Sequence, residues 1–165
     1  MSGKGYTITM AVLTVILLSL YVLRAVLGSY YRNRLAACVP GCDPEAYEAI
    51  AQKKLAGLLV PPFNLHYMRL NLNMMLEKEK ETDQEFDFLL AMSTGKAMRR
   101  EVVRKAYYYY VKRRDGKRCR LLLDELLTFA QGEEAKECEL LYDIYILKKS
   151  SHIRELMEGI EELPP

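Results

Sequence analysis

From Gly5 to Leu23 the chain carries no charged residue, and the run from Tyr6 to Leu27 is apolar apart from a few hydroxyls and Arg24. A bilayer core takes roughly 20 apolar residues in a helix rising about 1.5 Å each, and residues 6–27 meet that length. Arg24 can snorkel, and Tyr6, Tyr21, Tyr30 and Tyr31 suit a lipid–water boundary, where a ring and a hydroxyl both find a place. The run predicts one retained transmembrane helix, continuing to about Val39.

Two processing motifs compete with that expectation. A secretory signal has a shorter apolar core, about 7–15 residues, and then a neutral cleavage region; here Arg24 follows a longer run. Leu35-Ala36-Ala37-Cys38 looks like a lipoprotein box, but Arg24, Arg32 and Arg34 separate it from the apolar core. Flanking cations set orientation. Lys4 and the α-amino group stand on one side; Arg24, Arg32 and Arg34 stand on the other. The balance favours a short N-terminus outside and the larger part in the cytoplasm, with the chain in the cell membrane. Unpaired cysteines suit that reducing side; the opposite topology would leave Cys38 and Cys42 outside as a small disulfide loop.

The remainder is a different material. Over 165 residues the mean hydropathy is −0.11 and 28% of residues are charged, nearly all of them after Leu23. A net charge of +2 excludes a globally basic nucleic-acid binder, and four cysteines make no disulfide scaffold. Only two histidines are present, so His-based catalysis and His-rich metal sites have little to work with.

This remainder repeats. Ala106-Tyr107-Tyr108-Tyr109-Tyr110-Val111-Lys112-Arg113-Arg114-Asp115-Gly116 aligns with Leu140-Leu141-Tyr142-Asp143-Ile144-Tyr145-Ile146-Leu147-Lys148-Lys149-Ser150 at an offset of 34 residues. The same offset carries Cys119 to Ile153, Leu122 to Leu156, Leu123 to Met157, Leu126 to Ile160 and Phe129 to Leu163. One step earlier, Leu72, Met74 and Leu76 precede a charged turn and then Phe86, Leu89 and Leu90. Each copy reads as apolar helix, polar turn, apolar helix. Asp43-Pro44-Glu45 has the makings of a helix start, with a capping carboxylate, a proline at the first position and an acid against the dipole. Thr82-x-x-Glu85 has the form of a capping box. Turn residues and the break at Pro61-Pro62 divide the rest into expected helices near 43–58, 64–80, 83–93, 97–113, 117–130, 134–148 and 152–162. No stretch alternates as strands and hairpins do.

A 34-residue helix pair with Val103, Ala106, Tyr110, Cys119, Leu123 and Leu126 at its packing positions resembles the tetratricopeptide-repeat family. Ile144, Ile153, Met157 and Ile160 fall on the next copy, and Pro165 stands where that family often ends a unit. Tyr107 and Leu141 depart from the pattern, which has very small residues there. The whole is also similar to small bacterial single-pass proteins bearing such repeats, a group without an assigned activity. The resemblance implies an all-α chain: a membrane segment in 1–30, a juxtamembrane helix and degenerate first pair in 31–63, and a TPR-like α-solenoid of about three helix pairs in 64–165.

Stacked pairs leave an inner groove lined by the first helix of each pair, and in the family that groove holds peptides or partner segments. Tyr67, Met74, Arg104, Tyr108, Lys112, Tyr142 and Tyr145 are the candidate lining residues. Tyrosines offer contact area at low entropic cost, and Arg or Lys can hold a carboxylate, so a peptide or helix of another protein, acidic ones included, is the expected partner. The competing reading places these tyrosines inside the core, since four in a row point all round a helix.

Charge is also segregated. From Lys96 to Arg120 eleven bases face two acids, a net of +9, and from Leu121 to Pro165 eleven acids face four bases, a net of −7. Arg99, Arg100, Lys105, Arg113, Arg114, Lys117 and Arg118 form the candidate basic patch. It could meet anionic lipid or nucleic acid, although no nucleic-acid recognition motif accompanies it. The plainer reading is attraction between neighbouring helices.

Chemistry-bearing groupings are sparse. His66 and His152 have no Cys or Ser at dyad spacing. Cys38-x-x-x-Cys42 lacks a second pair for zinc, and Asp83-x-Glu85-x-Asp87 lacks the loop glycine of a calcium site. No phosphate-binding glycine loop is present. The expectation is a membrane-anchored, non-enzymatic adaptor without metal or cofactor, with an electrostatic lipid- or nucleic-acid-binding module over 96–120 as the alternative.

Overall fold

The computed structural model describes residues 3–92, 94–130 and 132–149, which hold eight helices and no strand. The expected all-helical class is observed. The helices are α1 (Gly3–Cys38), α2 (Pro44–Ala51), α3 (Lys54–Leu59), α4 (Pro62–Met75), α5 (Glu79–Ala91), α6 (Lys96–Arg113), α7 (Gly116–Leu126) and α8 (Glu133–Tyr145). The chain divides into two compact units, Met1–Leu89 and Leu90–Pro165. The helix expected over 152–162, with His152, Ile153, Met157, Ile160 and Pro165, lies outside the described residues.

In the first unit α1 is a single uninterrupted helix of 36 residues. Two of its hydroxyls are satisfied within the helix: Thr14 Oγ1 donates to the Met10 carbonyl at 2.9 Å and Ser19 Oγ to the Val15 carbonyl at 2.8 Å. The last part of α1 buries one stripe, Gly28, Leu35 and Cys38, with Tyr31 half-buried on the same side. This spacing keeps one face of the helix turned to α2, α3 and α4. Leu35, Cys38, Tyr47, Ile50, Val60 and Leu72 form the core of the unit. The Tyr47 hydroxyl is satisfied inside it by donating to the Leu65 carbonyl at 2.5 Å, and burial pushes its pKa well up.

Asp43 caps α2 as the sequence leads one to expect: its Oδ1 accepts from the Ala46 amide at 2.9 Å, and Pro44 begins the helix. The single helix expected over 43–58 is instead two. Lys53 is extended (ψ 130°) between α2 and α3. No local residue demands this break; packing does, because Ala56 and Val60 bury against the rest of the unit only after the chain turns. Val60 is extended before Pro61, as a residue before proline must be, and Pro62 opens α4.

The capping box at Thr82 is also corrected. Helix α5 begins at Glu79, so Thr82 lies inside it, buried, with its hydroxyl making no hydrogen bond. Glu85 is drawn away to α4, as described below.

In the second unit α6 and α7 form a tight antiparallel hairpin. Arg114 takes the left-handed conformation (φ 57°) that ends α6, and the Asp115 carboxylate caps α7 by accepting from the Arg118 amide at 3.1 Å. Val102, Val103, Ala106, Tyr107, Tyr110 and Val111 bury one side of α6 against Cys119, Leu122, Leu123 and Leu126 of α7. Helix α7 ends at Leu126, short of the expected 130, and a turn through Ala130 leads to α8. Helix α8 also packs on α6. Arg100 pairs with Glu134 and Tyr107 with Cys138, and just past the end of α6 Gly116, the first residue of α7, lies against Ile146. Both sets of numbers rise together, so α8 runs parallel to α6.

Candidate functional site

Helix α1 changes character along its length. From Met10 to Val26 its large apolar residues are exposed on every side, Tyr21 and Leu17 among them. Thr9–Cys38 is long and apolar enough to cross a membrane. Beyond Gly28 the same helix becomes a packed element of the first unit.

The open face of α6 is the second feature. Arg104, Tyr108 and Lys112 succeed one another at four-residue steps and all are exposed, Tyr108 to 38%. Of the four consecutive tyrosines, Tyr107 and Tyr110 are buried, while Tyr109 is half-buried and Tyr108 open. The buried pair spends its hydroxyls inside: Tyr107 donates to the Cys138 carbonyl at 2.5 Å, and Tyr110 accepts from Arg118. The Tyr108 hydroxyl borders Cys138 and Glu137 of α8, and partial burial there pushes its pKa up to about 12. Arg104 holds Glu101 at 3.0 Å one turn back on α6. This seam between two parallel helices combines an aromatic ring with cations.

The other expected lining residues fall elsewhere. Tyr145 is exposed on α8. Tyr142 is 9% exposed, with the Arg120 guanidinium 5.9 Å from its ring centroid, so it faces α7 and is packing rather than open wall. Tyr67 and Met74 belong to the first unit, half-buried on α4, with Tyr67 stacked on Phe63 at 5.6 Å. The seven residues are thus not gathered by the second unit alone.

The basic stretch is largely occupied. Arg99 forks onto Glu125, Nε to Oε1 at 2.6 Å and Nη2 to Oε2 at 2.8 Å, and also donates to the Leu90 carbonyl. Arg100 pairs with Glu134 and Arg118 with Asp115. Arg113 lies 5.4 Å from the Tyr109 ring centroid, and its Nη1 donates to the Tyr109 hydroxyl at 3.2 Å. Lys105 is half-buried, and loss of water lowers its pKa. Arg114 and Lys117 are exposed. Two pairs join the positive stretch to acids of the negative one on another helix, Arg99 with Glu125 of α7 and Arg100 with Glu134 of α8.

Two arrangements carried no sequence signal. A cleft of about 540 Å³ opens between α7 and α8, with Arg120, Asp124, Lys136, Glu139 and Asp143 around an apolar floor. In the first unit, His66 Nδ1 lies 2.7 Å from Glu85 Oε2, and its ring stacks on Phe88 at 3.7 Å. Arg69 bridges this pair to α2, forking onto Glu48 at 2.7 and 3.1 Å and reaching Glu85 at 3.5 Å. His66 and Arg69 share a face of α4 by their spacing; their partners lie 19 and 21 residues away in sequence. Through these contacts the cluster ties α4 to α2 and α5. Cys38, Cys42, Cys119 and Cys138 are free thiols. Among the described residues no three His, Cys, Asp or Glu side chains come together as metal ligands.

Compared with family models, curated proteins and solved structures, the chain matches none.

Proposed function

We propose that the protein is a single-pass membrane scaffold: α1 crosses a bilayer, and the helical body recruits a segment of another protein to the seam of α6 and α8. The observation that carries this reading is the exposed stripe Arg104, Tyr108 and Lys112 on a helix whose opposite side is sealed by Val103, Tyr107 and Tyr110. A helix serving packing alone gains nothing from an open tyrosine between two cations; a partner with an apolar residue beside a carboxylate gains from all three.

We also read the second unit as tetratricopeptide-like stacking. Its support is the parallel course of α6 and α8, with α7 antiparallel between them in sequence, and the ion pair between Arg100 and Glu134, which stand one 34-residue period apart. An anchor confines the body to two dimensions, which raises its effective concentration toward partners in the same membrane. Within the basic stretch Arg99 is committed to a two-bond fork on Glu125, whereas Arg104 and Lys112 stay exposed beside the Tyr108 ring, which favours a partner segment over an electrostatic lipid or nucleic-acid surface spread along 96–120.

The test is photocrosslinking in cells from a benzophenone amino acid placed at Tyr108, Tyr145 or Leu121, the last exposed on α7. A discrete protein adduct is expected from Tyr108 and Tyr145, absent from Leu121, and lost when Arg104→Glu is added, with helicity by circular dichroism unchanged. Equal adducts from all three positions, or none from Tyr108, would overturn the seam as the docking site.

A further inference from the structure

Helix α3 has a bare side. Ala56 and Val60 are buried, whereas Leu55 is 51% and Leu58 68% exposed. Two exposed leucines on a six-residue helix have no reason to face water, and Gly57 between them has open space around it. Their position supplies the reason. The Leu59 carbonyl sits against Gly28, only two residues beyond Val26, where the all-round apolar surface of α1 ends. So α3 lies at the level at which the spanning part of α1 gives way to the packed part.

Charge around this level is one-sided. Arg24 stands on α1, and exposed Lys53 and Lys54 open the α3 segment. No Asp or Glu occurs from Met1 to Cys42, nor from Ala49 to Leu76. Tyr30, exposed on the next turn of α1, accepts from Arg34 at 3.1 Å. Lysines flanking bare leucines, an exposed tyrosine and no acid are the composition of a segment lying in the headgroup region of an anionic leaflet.

Resting on the reading of α1 as a membrane span, we infer that α3 is a second membrane contact: Leu55 and Leu58 insert into the bilayer interface while Lys53 and Lys54 engage anionic headgroups. Two contacts fix the tilt and rotation of the first unit against the bilayer, which a lone helix does not. The occupant of this face is lipid. A second copy of the chain or another protein would cover the leucines equally, but neither would account for their height on α1 or for the missing acids.

The chain has no tryptophan, so single-tryptophan variants report on one place each. The full-length protein is reconstituted in phosphatidylcholine–phosphatidylserine vesicles carrying bromine either just below the headgroup or near the middle of the acyl chain. Leu58→Trp and Leu55→Trp are expected to emit at shorter wavelength than in detergent-free buffer-exposed controls and to lose emission to the shallow bromines. Adding Lys53→Glu with Lys54→Glu is expected to weaken that quenching. Met75→Trp, one turn past the Leu72 that belongs to the Leu35–Cys38 core, is expected to escape quenching. Val15→Trp, inside the span, is expected to be quenched most by the deep bromines. Quenching of Val15→Trp without quenching of either α3 variant overturns the second contact and leaves the anchor standing. Failure of Val15→Trp to be quenched overturns both.

Discussion

A Cβ built on Gly28 would meet the carbonyl oxygen of Leu59 at 3.3 Å, so α1 and α3 approach closely at a residue without a side chain, and a larger residue there would press on the α3 backbone. That contact joins the apolar half of α1 to the packed first unit. A helix-breaking residue in the middle of a long helix costs up to about 1 kcal/mol relative to alanine; here the close approach is what offsets it.

Gly28→Leu is expected to destabilise the first unit by about 1–3 kcal/mol, the usual range for forcing a side chain into a packed contact. Gly57→Ala is the paired comparison. No atom lies within 4 Å of its added Cβ, so it is expected to be neutral or stabilising, by up to about 1 kcal/mol. Thermal unfolding of both variants in the same detergent, followed by circular dichroism, checks the contrast. Equal effects would show that α3 does not press on α1.

The fork of Arg99 on Glu125 joins α6 to α7 at about one-third exposure of both side chains. Partly screened pairs of this kind couple by about 1 kcal/mol or less, and the planar geometry is not reproduced by lysine. Arg99→Lys and Glu125→Gln are each expected to lower stability, and the double variant to lose less than the sum. A double-mutant cycle measures that coupling, which is expected to shrink in high salt. Additive losses would mean that the two residues do not act on one another.

Glu85 is only 12% exposed at its side chain and is held by His66 and Arg69. Removing Arg69 strips a cation from both Glu85 and Glu48, and a carboxylate left in a partly buried site without its partner is costly. Arg69→Met is therefore expected to destabilise more than Glu48→Gln, since the exposed Glu48 retains water as a substitute partner. Chemical denaturation of the three proteins tests the order. Equal losses would place the weight on the α2 side of the clamp.

The physical grounds for what the sequence made legible are visible in these elements. Asp43-Pro44 acts within three residues of itself, so its cap is readable from the chain alone; Asp115-Gly116 reads from the sequence only as a turn, and the structure adds that Asp115 caps α7. The packing stripe Val103, Ala106 and Tyr110 follows from helical period, and all three are buried. Thr82-x-x-Glu85 misleads because a capping box is a local pattern, whereas Glu85 answers to His66 on another helix. The break at Lys53 has no local cause at all; it exists so that Ala56 and Val60 can be buried. Tyr142 matches Tyr108 one period on, yet its ring lies by Arg120 of α7, a contact across helices that the period alone does not give. The α6 stripe could be read as a set of off-stripe residues, but which of them stays open depends on where α8 lies.

The thiol of Cys119 is raised by burial, with Asp115 adding to it, from an ordinary 9.0 to about 11. Below 9.0 both folded and unfolded chains keep the proton, so the thiol gives no pH dependence there. Between 9.0 and about 11 the unfolded chain releases the proton and the folded one holds it, so stability falls as pH rises; above that both are ionised and the loss levels off. Buried Tyr107, whose pKa is also pushed up by burial, adds to the decline above 10.0. Cys119→Ala is expected to flatten the slope between 9.0 and 10.0, where the thiol alone of these two groups contributes. The same burial predicts reactivity, because the thiolate is the nucleophile. At neutral pH a maleimide is expected to label half-exposed Cys42 well before Cys119 or Cys138, which are buried and become reactive together on unfolding. Early labelling of Cys119, or a stability profile unchanged by Cys119→Ala, would remove that residue from the core of the α6–α7 hairpin.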